Sequence, residues 1–159
     1  MTIAINLIAF KIGWLASVLG GANGLPWLGA IVAFGVVALH LSRATRPGAE
    51  LRLVIAAGLL GGIWDSLLAT TGWLSYTSGT LFAGTAPYWI VAMWLSFSTT
   101  LNVSLTWLKG RLLLAAAVGA VSGPLAFYAG HKLGAVQFDN AAMALGALSL
   151  GWAVIMPLL

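Results

Sequence analysis

The chain has 159 residues, of which 61% are hydrophobic and only 6% are charged, whereas about 25% of the residues of a soluble domain carry charge. This composition excludes a water-facing globular surface and indicates a polytopic membrane protein. The net charge of +4 does not predict nucleic-acid binding, because the cations are spread singly along the chain. Without cysteine, and with only two well-separated histidines, we expect no metal site and no cofactor.

Six apolar segments follow one another, and each has the length of about 17 to 25 residues that a bilayer-crossing helix needs. They cover roughly residues 2–20, 26–43, 51–74, 87–108, 111–133 and 138–159. Helices are expected throughout, because isolated strands would leave backbone groups unpaired in lipid. The sequence therefore predicts an all-α fold in which residues 1–159 form a single integral membrane domain, a compact bundle of six transmembrane helices.

Lysine and arginine in the short connections predict the orientation of the bundle. Five of these cations lie in or beside the second and fourth connections: Arg43, Arg46, Arg52, Lys109 and Arg111. The other three connections contain only Lys132. We therefore expect both termini in the cytoplasm, and the connections around Gly21, Ser78 and Gln137 on the outer side.

Asp65 is the only acidic residue that lies deep inside an apolar segment. A carboxylate at that depth costs about 2.5 kcal/mol or more on insertion scales, so it should face a partner or a cavity. Lys11 is the only opposite charge at similar depth, which predicts an ion pair between the two helices. Such a pair either fixes the helix register or tunes a carboxylate for proton transfer or ligand binding. In the alternative, Lys11 reaches towards a headgroup and never meets Asp65.

The fourth segment is rich in serine, threonine and asparagine. Trp94, Ser98 and Asn102 are spaced by four residues, which places them on one helix face. Two interpretations stay open: hydrogen bonds that hold neighbouring helices together, or a small polar cleft that Asn6 also reaches. Trp64, which precedes the central carboxylate, completes the candidate binding residues.

Three polar residues end the fifth segment at the expected outer boundary: Tyr128, His131 and Lys132. The two basic side chains are suited to a lipid phosphate, and His131 is also suited to acid–base chemistry. The alternative is ordinary interfacial anchoring. His40, at the inner end of the second segment, is expected to be interfacial. Gly13-Trp14-Leu15 matches Gly72-Trp73-Leu74, which indicates either a weak internal repeat or a chance match of residue types that are common in this chain.

A resemblance to a known family is carried by residues spread over essentially the whole chain. They are Gly62-Ile63-Trp64-Asp65-Ser66, Ala86-Pro87-Tyr88-Trp89, Trp94, Asn102 and Gly123-Pro124. In these the chain resembles a bacterial inner-membrane family known as a domain of unknown function. Genes of that family often lie near cyclopropane-fatty-acid-synthase-like methyltransferases and flavin oxidoreductases. The resemblance implies a multi-pass inner-membrane protein with a role in membrane-lipid modification or an envelope stress response, and it supplies no catalytic residues.

Three functions are compatible with these features. The first is a non-catalytic accessory subunit, with membrane lipids, a membrane-associated lipid-modifying enzyme and a second copy of the chain as partners. The second is a small-solute or proton-linked transporter that uses Asp65 and Lys11. The third is an intramembrane lipid-modifying enzyme with Asp65 and Asn102 in a cleft and His131 at its mouth. No phosphate loop, dinucleotide fingerprint, H-E-x-x-H or G-x-S-x-G motif points to a particular reaction.

Overall fold

The computed structural model describes all residues from 1 to 159 and contains six α-helices. They are α1 (Ile3–Ala22), α2 (Pro26–Ser42), α3 (Pro47–Thr70), α4 (Tyr88–Leu101), α5 (Leu112–Lys132) and α6 (Ala141–Leu158). Two short strands are also present, β1 (Leu74–Tyr76) and β2 (Val136–Phe138), together with a 3-10 turn at Thr106–Leu108. Four helices, α1, α3, α5 and α6, are long and apolar enough to cross a membrane, and α2 is a shorter apolar helix. The predicted all-α membrane bundle is confirmed.

Helix α3 begins four residues earlier than predicted. Pro47 is its first residue, where the missing N–H of proline costs nothing, because the first N–H groups of a helix have no partner within it. Glu50 follows in the first turn, where a negative charge is favoured by the positive end of the helix dipole. The charged connection between α2 and α3 is therefore only four residues long.

Helix α4 is much shorter than the predicted segment 87–108. It ends at Leu101 after 14 residues, about 21 Å of helix, and so cannot span a hydrocarbon core of about 30 Å. Hydroxyl groups near its end bond to carbonyls three residues earlier, as for Ser98, Thr99 and Thr100, and such bonds compete with the helical pattern. None of its residues is exposed. It is a central helix that packs against α1, α2 and α3.

The two strands pair antiparallel, with Leu74 opposite Phe138 and Tyr76 opposite Val136. The prediction of helix over residues 72–74 and at residue 138 is therefore wrong. Backbone groups that would be unpaired in an isolated strand bond to each other here, which removes the cost on which the prediction relied. Each strand follows a helix and a glycine with a positive φ, 70° at Gly72 and 88° at Gly134, as in a common helix-ending motif.

The two Gly-Trp-Leu segments differ in structure, which agrees with a chance match and not with an internal repeat. Gly13-Trp14-Leu15 lies in the middle of α1, whereas Gly72-Trp73-Leu74 forms the turn after α3 and the first residue of β1. The same three residue types therefore have different structural roles in the two places.

The connections around Gly21, Ser78 and Gln137 lie together at one end of the bundle, as predicted. The Ser78 hydroxyl donates to the Gly21 carbonyl at 2.6 Å, and Gln137 pairs with Ser75 across the two strands. The ends of α2 and α4 and the start of α3 meet at the opposite end. The assignment of this second end to the cytoplasm stays a prediction from the distribution of lysine and arginine.

Candidate functional site

Asp65 lies on α3 where that helix faces α4, and its side chain is fully buried. The Trp94 indole Nε1 donates a hydrogen bond of 2.7 Å to its Oδ2. Gly61, one turn earlier on α3, makes this approach feasible, because a Cβ there would lie only 2.0 Å from Trp94 Cδ2. The partner of the membrane carboxylate is thus an indole on the central helix.

The predicted ion pair between Lys11 and Asp65 is wrong. Lys11 lies on an exposed face of α1, and its Nζ is 5.8 Å from the centre of the Trp14 ring, a distance at which a cation is attracted to an aromatic face. Helix α4 packs against both α1 and α3, which accounts for the separation of the two charges. The only nitrogen of a basic side chain within 4.0 Å of a carboxylate oxygen is His40 Nε2, which lies 2.9 Å from Glu50 Oε2.

Several buried polar atoms near Asp65 have no hydrogen-bond partner within the protein. They include Asp65 Oδ1, the Tyr76 hydroxyl, Trp64 Nε1 and Trp152 Nε1. Burial, with a smaller contribution from the Asp65 charge, raises the pKa of the Tyr76 hydroxyl well above its ordinary value. Tyr76 therefore keeps its proton and remains a donor. The interior thus combines one free carboxylate oxygen with O–H and N–H donors.

A crevice lies between α1 and α5, with α4 at its base, and we call it the aromatic crevice. Seven aromatic side chains line it: Phe10, Trp14, Trp89, Trp94, Phe97, Phe127 and Trp152. The Trp94 and Trp152 rings are stacked with centroids 4.4 Å apart, and the Phe97 ring meets Trp152 edge-on at 5.3 Å. Apart from Gly130, all of its lining residues are hydrophobic. Asp65 does not line it, although its partner Trp94 does.

The predicted polar face of the fourth helix does not form one cleft. Trp94 bonds to Asp65, Ser98 bonds to the Leu95 carbonyl of its own helix, and Asn102 lies beyond the last residue of α4. Because the helix ends at Leu101, the spacing of four no longer aligns Asn102 with the other two side chains.

Asn6 holds α1 against the end of α4. Its Nδ2 donates to the Thr99 carbonyl at 3.0 Å, and its Oδ1 accepts from the Ser104 hydroxyl at 2.7 Å. The side chain is fully buried and its two polar atoms are both bonded. This agrees with the interpretation in which polar side chains hold helices together.

Three helix ends meet in a cluster that the sequence did not predict, which we call the inner cluster: His40, Glu50 and Asn102. Glu50 Oε2 is 2.9 Å from His40 Nε2, and Glu50 Oε1 accepts from Asn102 Nδ2 at 3.0 Å. His40 lies in the last turn of α2, Glu50 in the first turn of α3, and Asn102 is the C-cap of α4. The available signal was Glu50 just after Pro47, a short loop away from His40.

A cavity of about 300 Å³ adjoins the inner cluster, and Arg43 and Thr45 also line it. The exposed Arg43 has no acidic partner, since no carboxylate oxygen lies within 4.0 Å of its guanidinium. In this cavity charged side chains of both signs share a concave surface with the buried His40.

The outer-boundary residues make contacts typical of anchoring. His131 Nδ1 is 3.0 Å from the Val136 carbonyl, so Nδ1 carries the hydrogen, and its ring lies 4.9 Å from that of Phe138. Lys132 Nζ is 5.4 Å from the centre of the exposed Tyr128 ring. No three histidine or acidic side chains come together in a way that could hold a metal ion.

Comparison with known proteins identifies the family of the chain. No curated protein and no solved structure matches it. The family described as "Protein of unknown function (DUF2878)" matches residues 3–158, and this confirms the resemblance to a domain of unknown function. The chain, a bundle of apolar helices suited to a membrane, belongs to the DUF2878 family.

Proposed function

We propose that the protein is a non-catalytic, lipid-binding component of the bacterial inner membrane that assists membrane-associated enzymes of lipid modification. The observation that carries this proposal is the aromatic crevice between α1 and α5. The family resemblance, which implies a bacterial inner-membrane protein, and the orientation predicted from lysine and arginine support the inner membrane as the location.

The position of the crevice supports a lipid acyl chain as its occupant, and its volume of about 50 Å³ limits contact to a short part of that chain. Both flanking helices are long and apolar enough to cross a membrane, so the crevice opens on the hydrocarbon core, where lipid acyl chains are the surrounding medium. Transfer from lipid to the crevice gains no hydrophobic free energy, so affinity depends on van der Waals fit. Rigid stacked rings such as Trp94 and Trp152 supply that fit without losing much side-chain entropy.

The lining of the crevice supports binding rather than chemistry. It contains no acid, histidine, lysine or hydroxyl group. The carboxylate nearest in the fold, Asp65, is bonded through Oδ2 to the Trp94 indole, which supports a role in fixing the crevice wall.

The test is native mass spectrometry of the protein extracted gently from its own membrane. We expect the wild type to retain phospholipid, and Ala126→Phe, which fills the crevice, to lose most of it. Ala117→Phe is the matched control, because Ala117 lies on the exposed face of the same helix. Equal retention by all three proteins contradicts the proposal.

The accessory role needs its own experiment. Cross-linking in native membranes should join the protein to a membrane-associated lipid-modifying enzyme, and Ala126→Phe should retain that contact while losing lipid. A protein that binds neither lipid nor such an enzyme does not have the proposed function.

A second candidate, proton-linked transport, is favoured by the unpartnered Oδ1 of Asp65. A buried carboxylate with a free oxygen is a feature of proton relays. In proteoliposomes with an internal pH-sensitive dye, this function predicts proton flux that Asp65→Asn abolishes without loss of folding. No flux in the wild type removes it.

A further inference from the structure

We propose that the cavity beside the inner cluster binds the headgroup of a phospholipid that carries a primary ammonium, with Glu50 receiving the ammonium and Arg43 the phosphate. This site lies at the opposite end of α4 from the outer connections and shares no lining residue with the aromatic crevice. The inference therefore goes beyond the proposed function and does not depend on it.

Glu50 is a carboxylate without a cationic partner. Its two hydrogen bonds come from His40 Nε2 and Asn102 Nδ2. The other ring nitrogen of His40, Nδ1, is buried and has no partner. Protonation of both nitrogens would leave a buried N–H unbonded, which is costly, so the geometry favours a neutral imidazole that donates through Nε2. The charge of Glu50 is then supported only by neutral donors and by the start of α3.

Arg43 supplies the complementary charge. It is the C-cap of α2 and lines the same cavity as Glu50, yet the two side chains are not within the 4.0 Å of an ion pair. Two opposite charges that share a cavity without touching fit a ligand that carries both charges. A guanidinium matches the geometry of a phosphate, which it binds through two N–H groups.

The size and place of the cavity agree with a headgroup. Its volume of about 300 Å³ is at the lower end of the range of about 300–1,000 Å³ for small-ligand sites. It lies at the end of the bundle where Arg46 and Arg52 also cluster, the end predicted to face the cytoplasm. Headgroups of the cytoplasmic leaflet meet the protein there.

The shared chemistry is a phosphate ester with a primary ammonium, which either a membrane lipid or a soluble ester could supply. The experiment measures binding to the purified protein of phosphatidylethanolamine, phosphatidylcholine and phosphatidylglycerol with identical chains, and of soluble glycerophosphoethanolamine. We expect phosphatidylethanolamine to bind about tenfold more tightly than the other two lipids, the effect of one charge-assisted hydrogen bond. Equal binding of phosphatidylglycerol, or soluble ester that binds as tightly as the lipid, overturns the proposal.

Two variants test the roles of the Glu50 and Arg43 charges separately. Glu50→Gln should abolish the preference for phosphatidylethanolamine over phosphatidylcholine. Arg43→Gln should weaken the binding of all three lipids about equally. Arg46→Gln is the matched control, because Arg46 lies in the same loop but does not line the cavity. Unchanged selectivity in Glu50→Gln contradicts the assignment.

A third variant covers the case in which Glu50→Gln fails to fold. Thr45→Phe fills the cavity from an exposed position and leaves the His40–Glu50 bond in place. It should lose the preference for phosphatidylethanolamine over the other two lipids. If Thr45→Phe keeps the selectivity, the headgroup does not occupy this cavity.

Discussion

Two carboxylates lie inside the bundle, and their surroundings differ. Asp65 is fully enclosed, has one donor, the Trp94 indole, and lines neither the aromatic crevice nor the inner cavity. Glu50 is 17% exposed, has two donors on different helices and borders a cavity that Arg43 shares. Burial therefore distinguishes the two carboxylates, because Asp65 is closed off inside the bundle whereas Glu50 borders a cavity.

The contrast follows from the helix positions. Asp65 lies five residues before the last residue of α3, where Trp94 of α4 donates to it and Tyr76 of β1 lies nearby. Glu50 is in the first turn of the same helix, where chain ends leave space and unpaired backbone groups. The four predictions below, in order of decreasing effect, test whether the two carboxylates differ in this way.

The largest effect is expected from Gly61→Ala. The added Cβ would lie 2.0 Å from Trp94 Cδ2, so Trp94 must move away from Asp65, and the lost hydrogen bond adds to the cost of overpacking. We expect destabilisation of about 3 kcal/mol or more, measured as the unfolding temperature in detergent. Gly35→Ala is the control, since no atom lies within 4 Å of its Cβ, and it should unfold no earlier than the wild type. Equal stability of the two variants would mean that Trp94 is not held against α3.

The second-largest loss of stability is expected from Trp94→Phe, which removes the N–H that donates a hydrogen bond to Asp65. A buried carboxylate without a donor costs about 3 kcal/mol. The double variant Trp94→Phe with Asp65→Leu should recover part of this stability, because it leaves no unpaired charge. Asp65→Asn, which keeps an acceptor oxygen for the indole, should stay close to the wild type. A double variant less stable than Trp94→Phe alone would show that Asp65 has another partner.

A smaller loss of stability is expected from Glu50→Gln, because neutral donors provide both hydrogen bonds to the Glu50 carboxylate. The amide keeps one acceptor oxygen, so about 1 kcal/mol of stability is lost in the same thermal measurement. Asp139→Asn, at an exposed acid, is the control and should have no effect. A loss as large as that of Trp94→Phe would remove the distinction between the two carboxylates.

The smallest effect is expected from Lys11→Met. The side chain is exposed, and its ammonium lies 5.8 Å from the centre of the Trp14 ring without an acidic partner, so the unfolding temperature should stay the same or rise. A large fall would indicate that Lys11 has an acidic partner after all, and Asp65→Asn in the Lys11→Met background would then identify it.

The sequence predicted much of the fold but less of the interior. The lengths and limits of the apolar segments gave the number of helices and, within a few residues, where each begins. The sequence did not predict the early end of α4, because serine and threonine also occur within helices, and only the structure shows that their hydroxyls bond to backbone carbonyls here. It could not give the β1–β2 pair, since Leu74 and Phe138 meet only through a contact between distant segments.

Pairings between side chains were the least predictable feature. Lys11 and Asp65 have matching charge and depth, but α4 lies between their helices, and no local pattern encodes that arrangement. Glu50 was predicted only as part of a charged loop, because its partners His40 and Asn102 come from the ends of two other helices. Asn6 was expected at a polar cleft of the fourth segment, but it is buried and bonded to Thr99 and Ser104, because an amide in lipid needs hydrogen bonds wherever it lies.

Photocross-linking in membranes tests most directly whether the aromatic crevice holds a lipid chain. A phospholipid with a diazirine in the middle of its acyl chain is activated by light, and the labelled residues are mapped by mass spectrometry. We predict labels concentrated on Phe10, Trp14, Met93 and Phe97, and greatly reduced there in Ala126→Phe. Labels spread evenly over exposed positions such as Leu59 and Ile63, with no excess in the crevice, would contradict the claim.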